Sequence, residues 1–194
     1  FRPEELATPE AFEANPKLVW DWYAWRRGIV ATAQPNAGHR ALVALERQCR
    51  EHEVDFTLVT QNVDGLHRTA GSLRVVELHG NIARVKCSRE ETIVSEFPPD
   101  ESPPRCHCGA WLRPDVVWFG EMLPADALAR AEDAAEHCEV FLSVGTSAQV
   151  YPAAVLDVEV APPTNASRVA ASAPASAARR RPNSSTGRPS ADSL

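Results

Sequence analysis

Short apolar runs alternate with polar loops in the middle of the chain. Phe56–Thr60 and Val75–Leu78 are two such runs, and polar residues and glycines bound them. Runs of this length predict buried strands of a parallel sheet. The first leads into Gln61-Asn62-Val63-Asp64, and the second delivers His79 into a glycine. Ligands of parallel sheets bind where strands end and loops begin. The pattern therefore places a candidate active site at this edge.

Helix signals surround these strands. A capping residue followed by proline occurs at Thr8-Pro9 and Asn15-Pro16, and this pair predicts a helix start. The second of these helices is predicted from Lys17 to about Gly28. Asn36 is the predicted cap of a third helix, and an alanine-rich helix is predicted from Pro124 to about His137. We expect three tryptophans to pack into the core: Trp20, Trp22 and Trp25.

Two further apolar runs complete the α/β pattern. Ile82–Cys87 predicts a strand that leads into a cysteine. Glu139–Val144 predicts a buried strand that runs into Gly145-Thr146-Ser147. A turn of small residues lets the backbone approach a phosphate or a ribose closely. Alone, this turn is weak evidence for a nucleotide site.

The composition narrows the choice of partners. The net charge is −6, but it is unevenly distributed: five arginines and one aspartate lie after residue 160 and give +4, so the preceding residues carry −6 − 4 = −10. An acidic body argues against a nucleic-acid groove and is compatible with basic, lysine-bearing protein substrates. No run suits a membrane span or a signal peptide, so we expect no membrane partner. The five unevenly spaced cysteines do not resemble a disulfide framework, which favours the reducing cytoplasm.

The central stretch resembles the sirtuins, the NAD-dependent protein-lysine deacylases. Their signature appears as Thr60-Gln61-Asn62-Val63-Asp64-Gly65-Leu66-His67, followed by Leu78-His79-Gly80. The resemblance implies a Rossmann-like parallel sheet, with His79 as the catalytic base. It also implies that NAD and its nicotinamide bind to Gln61, Asn62, Val63 and Asp64. Without the resemblance, His79 would be interpreted as a structural histidine.

Two later segments extend the match. Leu112–Glu121 reads L-R-P-D-V-V-W-F-G-E and is similar to the sirtuin segment that pairs with the extended substrate peptide by strand addition. The resemblance implies an acyl-lysine tunnel lined by Val117, Phe119 and Gly120, and acylated-lysine proteins as substrates. It also makes Gly145, Thr146 and Ser147 the nucleotide-binding turn. An ordinary apolar strand is the alternative for the first segment.

A tyrosine and an arginine on the helix predicted from Lys17 to about Gly28 bear on which kind of acyl group the substrate carries. Tyr23 and Arg26 lie three residues apart and share a helix face. A phenol beside a guanidinium can bind a carboxylate, although most such pairs are only surface neighbours. Together with Pro35-Asn36-Ala37-Gly38-His39, the pair resembles the sirtuin subgroup that removes acidic acyl groups. The resemblance implies that it grips the distal carboxylate of succinyl- or malonyl-lysine.

A small zinc-ribbon-like module is expected at about residues 82–114. Structural zinc sites take four thiolate or imidazole ligands in two close pairs, and sirtuins carry two such pairs here. This chain offers Cys87, Cys106 and Cys108, with Glu90 where a fourth cysteine is expected. The fourth ligand is then His107, Glu90 or water. Alternatively, no metal binds and packing alone holds the module.

The resemblance covers residues 1 to about 154, a partial catalytic domain with an incomplete Rossmann-like sheet. The glycine-rich phosphate loop with which sirtuins begin is not in the sequence. Residues 155–194 are rich in Ala, Ser, Pro and Arg and are expected to be disordered.

The implied activity is NAD-dependent removal of succinyl, malonyl or acetyl groups from protein lysine, with nicotinamide and O-acyl-ADP-ribose as products. The alternative is an inactive remnant or a non-catalytic module that binds acyl-lysine peptides. A zinc-ribbon regulator of nucleic acid is a third interpretation, and the acidic body counts against it.

Overall fold

The computed structural model describes residues 2–98 and 100–145 and, for the backbone alone, residues 167–171. The helices are α1 (Pro3–Leu6), α2 (Pro9–Ala14), α3 (Pro16–Thr32), α4 (Ala37–Glu51), α5 (Leu66–Ala70) and α6 (Ala125–His137). The strands are β1 (Leu58–Thr60), β2 (Val75–Glu77), β3 (Gly80–Cys87), β4 (Leu112–Val116), β5 (Val140–Val144) and β6 (Ser167–Ala171).

The helix starts follow the predicted caps. The hydroxyl oxygen of Thr8 accepts a hydrogen bond from the Ala11 amide at 3.1 Å, and Oδ1 of Asn15 accepts one from the Leu18 amide at 3.1 Å. Asn36 caps α4 in the same way. These three predictions are confirmed, although α3 continues one turn beyond Gly28. Within the described residues, no helix is both long enough and apolar enough to cross a bilayer.

One side of α3 is buried. Val19, Trp20 and Tyr23 face the core, and Trp22 packs against its margin. Trp25 is 63% exposed, so the prediction that it packs into the core is wrong. It follows Tyr23 by two residues, about 200° around a helix of 3.6 residues per turn. The side that buries Tyr23 therefore leaves Trp25 in solvent.

The described strands form three pairs. β1 and β2 are parallel, with Thr60 opposite Glu77, which confirms the predicted parallel arrangement. β3 and β4 are antiparallel, with Gly80 opposite Val116. β5 and β6 are parallel, and β6 lies inside the segment expected to be disordered. The structure differs from the prediction at these five residues because β5 offers them a ladder of backbone partners. The rest of 155–194, and the boundary near 154, lie outside the described residues.

Three apolar clusters hold the helices against the strands. The first joins α1–α3 to β3 and to the segment after β4, the second joins β3 and β4 to the cysteine-bearing loop, and the third packs α6 on β2. The central members of the first are Phe12, Val19, Tyr23, Ile82 and Trp118. This cluster fixes α3, the helix that carries Tyr23 and Arg26, against the chain that follows β4.

Candidate active site

The two polar loops predicted to form the site leave one edge of the parallel pair. The Leu78 amide donates to the Thr60 carbonyl at 3.0 Å, which continues the β1–β2 ladder towards His79. Beyond Thr60, the Asn62 amide donates to the Thr60 hydroxyl at 3.1 Å. Oδ1 of Asp64 accepts from the Leu66 amide at 2.9 Å and so begins α5. Gln61–Asp64 and His79 are thus brought to the same edge, as the sequence indicated.

His79 is half-buried, and its surroundings favour the neutral ring. Burial lowers the pKa of His79, and the nearby backbone of Gln61 opposes this shift only in part. Among the described residues, its buried Nδ1 atom has no hydrogen-bond partner. A neutral imidazole can accept a proton. His79 is therefore the group in this loop cluster best suited to act as a base.

The backbone around His79 is tied to the end of β4. The His79 carbonyl accepts a hydrogen bond from the Val117 amide at 3.0 Å. Gly80 has a φ of +76°, and a Cβ atom there would lie 2.2 Å from the Asp115 carbonyl oxygen. Only glycine fits this conformation and this spacing. The candidate base is thereby held against the segment predicted to line the acyl-lysine tunnel.

The predicted tunnel residues follow β4 directly. Val117 is partly buried, whereas Phe119 and Gly120 are exposed. The Phe119 amide donates to the Ala7 carbonyl at 2.9 Å, which anchors the segment to α1. Val117 makes the hydrogen bond to the His79 carbonyl, and Phe119 and Gly120 follow Val117 closely along the chain.

A partly buried ion-pair network, which sequence reasoning missed, is centred on Glu77, two residues before His79. Oε2 of Glu77 receives a hydrogen bond from Arg84 at 2.7 Å, and Oε1 receives one from Asn81 Nδ2 at 2.8 Å. Nε of Arg84 also donates to Asp115 at 2.7 Å. One signal was available, because a glutamate inside the apolar run Val75–Leu78 must find partners when it is buried.

The structure brings Tyr23 and Arg26 together. The Cζ atom of Arg26 lies 5.7 Å from the centre of the Tyr23 ring and 4.7 Å from that of Trp22. Tyr23 is 1% exposed, and its hydroxyl oxygen accepts a hydrogen bond from Trp118 Nε1 at 3.0 Å. Burial raises the pKa of Tyr23, so the phenol stays protonated. In the part of the chain that is described, no carboxylate pairs with Arg26.

Arg113 and Glu121 stabilise the segment predicted to line the acyl-lysine tunnel. Arg113 is 4% exposed, and its two terminal nitrogens both bind Glu121, one of them at 2.9 Å. Its guanidinium lies over the Trp118 ring, 3.3 Å from the ring centre. Desolvation opposes ionisation of Glu121, but the hydrogen bonds from Arg113 outweigh it and lower the pKa of Glu121. Sequence reasoning noted both residues in the motif and missed their pairing, which opposite charges in one short segment could have indicated.

The cysteine-bearing loop gathers four donor atoms. Cys87, Glu90, Cys106 and Cys108 offer ligand atoms that all lie within 4.8 Å of one another, and the sulfurs of Cys87 and Cys108 are 3.5 Å apart. Sulfurs on a tetrahedral zinc, each about 2.3 Å from the metal, are about 3.8 Å apart. The set therefore fits zinc. His107 is not part of this group of donors, and its Nε2 lies 3.6 Å from Oε2 of Glu90. Glu90 is therefore the better fourth ligand.

The family model described as Sir2 family matches residues 1–152, which is most of this chain. The chain belongs to the Sir2 family. The NAD-dependent protein deacylase of Aquifex aeolicus is 56% identical over 159 residues, which are 80% of this Sir2-family chain and 65% of that protein. The NAD-dependent protein deacylase of Thermococcus kodakarensis is 52% identical over 163 residues, 79% of this chain and 62% of that one. The chain thus spans less than two thirds of these relatives.

Solved Sir2 structures share the fold. A crystal structure of a Sir2 homologue–NAD complex is 45% identical, with a TM-score of 0.77 over 88% of this chain and 66% of that one. A Sir2 protein bound to acetylated peptide is 30% identical, with a TM-score of 0.70 over 80% of this chain and 66% of that one. The Rossmann-like α/β fold expected for this Sir2-family chain is confirmed.

The predicted nucleotide-binding turn of this Sir2-family chain is described only at its first residue. Gly145 follows β5 with a φ of +69°, and among the described residues no atom lies within 4 Å of the place where a Cβ would be. None of those residues blocks the approach of a ligand to this part of the backbone. Thr146 and Ser147 lie outside the described residues.

Proposed function

We propose that this Sir2-family chain removes acyl groups from protein lysine with consumption of NAD. One observation carries the proposal: His79, kept neutral by burial and with Nδ1 unpartnered in the described part, lies at the edge where the polar β1 loop ends. The relatives named as NAD-dependent protein deacylases and the Sir2 homologue solved with NAD support it.

The residues present fit NAD. Gln61, Asn62, Val63 and Asp64 would hold the nicotinamide end, and the open backbone at Gly145 would receive the nucleotide with Thr146 and Ser147. When bound, NAD supplies a ribose carbon that is activated by the departure of nicotinamide. The unpartnered nitrogen of His79 supports this assignment, because a buried nitrogen without a partner suits a hydroxyl of the ligand.

The chain's own groups supply binding and proton transfer. The acyl-lysine reaches the site past Val117, Phe119 and Gly120, and the substrate peptide pairs with this segment. His79 would take a proton from a ribose hydroxyl of bound NAD, and the lowered pKa of its ring favours the neutral form that this role needs. The products are lysine, nicotinamide and O-acyl-ADP-ribose.

Succinyl and malonyl groups are the proposed preference. The guanidinium of Arg26 lies beside Tyr23 and has no carboxylate partner in the described residues, although the chain as a whole is acidic. An arginine without a carboxylate partner suits an anionic ligand. Acetyl-lysine carries no such charge and gains nothing from Arg26.

We also propose a structural zinc ion in the module at about 82–114. Cys87, Glu90, Cys106 and Cys108 would fill all four positions, as structural zinc sites require. None of the five cysteines forms a disulfide bond, which supports the proposed cytoplasmic location.

Turnover of succinyl-, malonyl- and acetyl-lysine peptides tests the function. We expect His79→Ala to lower turnover of all three by roughly 10²–10⁴-fold, the usual contribution of a general base. Arg26→Met should lower kcat/KM for the succinyl peptide by about 10–100-fold, because a charge-assisted hydrogen bond is lost. The acetyl peptide should change less than about two-fold, since it lacks the carboxylate.

Arg27→Met is the matched control. Arg27 is the next residue on α3, but its guanidinium lies over the ring of Trp20, at 4.7 Å. It should leave the ratio of succinyl to acetyl turnover unchanged. Equal losses for both peptides in Arg26→Met would contradict the acyl preference. A wild-type chain that turns over none of the peptides would contradict the enzymatic function.

A further inference from the structure

The hydroxyl group of Tyr23 uses only part of its hydrogen-bonding capacity. Its oxygen accepts from Trp118 Nε1 at 3.0 Å. Within the described residues, its own hydrogen has no acceptor, although the side chain is 1% exposed. A buried donor without an acceptor costs stability and normally finds a partner. The hydroxyl hydrogen of Tyr23 is therefore still available to an acceptor.

Three contacts hold Trp118 in its orientation. Its backbone amide donates to Oε2 of Glu121 at 2.7 Å. Arg113 stacks on its ring at 3.3 Å, and the ring of Phe12 lies 5.2 Å away, centre to centre. An indole nitrogen can only donate. With the ring held by these contacts, its N–H donates to a lone pair of the Tyr23 oxygen, so the phenol must use its own hydrogen elsewhere.

We propose that Trp118 is a positioning residue that makes Tyr23 a hydrogen-bond donor to the distal carboxylate of the acyl group bound beside Arg26. The inference rests on the proposed acyl preference. The indole N–H fixes which side of the phenol oxygen accepts, so the O–H is aimed away from Trp118. A hydrogen bond received by the oxygen also polarises the O–H and strengthens its donation. Arg26 supplies the charge, and Trp118 acts only through Tyr23.

Peptide binding tests this role without a need for turnover. Calorimetry with succinyl- and acetyl-lysine peptides should be done on the wild type, Trp118→Phe, Tyr23→Phe and the double variant. Each single change should weaken succinyl-peptide binding by about 5–10-fold and leave acetyl-peptide binding within about two-fold. Tyr23→Phe removes only the hydroxyl, whereas Trp118→Phe keeps an aromatic ring and removes the indole N–H together with part of the ring. The double variant should bind the succinyl peptide no worse than Tyr23→Phe, because both changes remove one interaction.

Trp111→Phe is the matched control. Trp111 also packs against the first apolar cluster, but its ring stacks on Arg105, at 3.4 Å. This change should leave the ratio of succinyl to acetyl affinity unaltered. The inference is overturned if Trp118→Phe weakens both peptides equally, since that indicates a purely structural role. It is also overturned if the effects of Trp118→Phe and Tyr23→Phe add.

A measurement on the unmodified chain covers the case in which a variant fails to fold. The indole N–H resonance of Trp118 should move downfield when the succinyl peptide binds and should move less with the acetyl peptide. Equal movement with both peptides overturns the inference. A wild type that binds both peptides equally overturns the acyl preference and this inference together. Discrimination that survives in Trp118→Phe overturns this inference alone.

Discussion

Gly80→Ala should be among the most damaging small substitutions in this chain. Gly80 follows His79, begins β3 and has a φ of +76°. An added Cβ would lie 2.2 Å from the carbonyl oxygen and 3.0 Å from the carbonyl carbon of Asp115. Both atoms belong to the backbone of the paired strand. They cannot move aside as the end of a flexible side chain can, so the strands must separate.

Gly120→Ala is the reference substitution for this effect, because Gly120 has the same backbone conformation without the close contact. Its φ is +87°, and no atom of the described part of the chain lies within 4 Å of the place of a Cβ. Gly120→Ala therefore measures the cost of the left-handed backbone, about 1–2 kcal/mol, less the gain from a stiffer unfolded chain, about 0.4–1 kcal/mol. Gly80→Ala adds a separation of the strands by roughly 1 Å. That separation weakens two or three backbone hydrogen bonds at about 1 kcal/mol each. The total expected loss is about 3–4 kcal/mol.

Urea unfolding followed by tryptophan fluorescence measures both variants. We expect the free energy of unfolding to fall by about 1 kcal/mol in Gly120→Ala and by at least 2 kcal/mol more in Gly80→Ala. The hydrogen bond between the His79 carbonyl and the Val117 amide, 3.0 Å in the native chain, should weaken at the same time. Equal losses in the two variants would refute the argument that the contact with Asp115 requires glycine.

Three further predictions concern Glu46, the cysteine-bearing loop and two histidines. Glu46→Gln should lower the free energy of unfolding by about 1–2 kcal/mol, because the buried carboxylate accepts hydrogen bonds from two backbone amides of the loop before β2, those of Leu73 and Arg74. In urea unfolding, a loss under about 0.5 kcal/mol would contradict this. Elemental analysis should find one zinc per chain and none in Cys108→Ser, and metal retained by the variant would exclude this ligand set. In an NMR titration, the pKa of His79 should lie below the ordinary value of about 6.5, because burial disfavours the charged form of its ring. The pKa of His137 should lie above that value, because the backbone carbonyl and the charge of Asp133 favour the charged form. The unfolded chain then binds a proton at a higher pH than buried His79 does, so stability should fall as the pH drops from about 6.5 towards the lower folded pKa of His79; a His79 pKa above the ordinary value would contradict this.

Local chemistry made part of the fold predictable. The helix starts at Thr8, Asn15 and Asn36 depend on hydrogen bonds to amides three residues away, so the sequence contains both partners of each bond. The same holds for the parallel pair of β1 and β2, because short apolar runs with polar ends indicate buried parallel strands. The meeting of Gln61–Asp64 with His79 followed from that arrangement.

Contacts between distant residues could not be predicted in this way. The Trp118–Tyr23 hydrogen bond joins residues 95 positions apart, and the bond from Leu73 to Glu46 spans 27. No local pattern in the sequence specifies such partners, because tertiary packing brings them together. The exposure of Trp25 has the same origin, since it depends on which side of α3 meets the strands.

NAD binding by calorimetry tests the central proposal most directly. The purified chain is titrated with NAD, first alone and then with a saturating succinyl-lysine peptide, after a cooperative unfolding transition has established that it is folded. We expect heat from NAD binding in the micromolar range, and Arg26→Met should abolish the change in this heat that the succinyl-lysine peptide causes. No heat from NAD in either titration of the folded chain would contradict the enzymatic account. The chain would then be a non-catalytic module that binds acyl-lysine peptides.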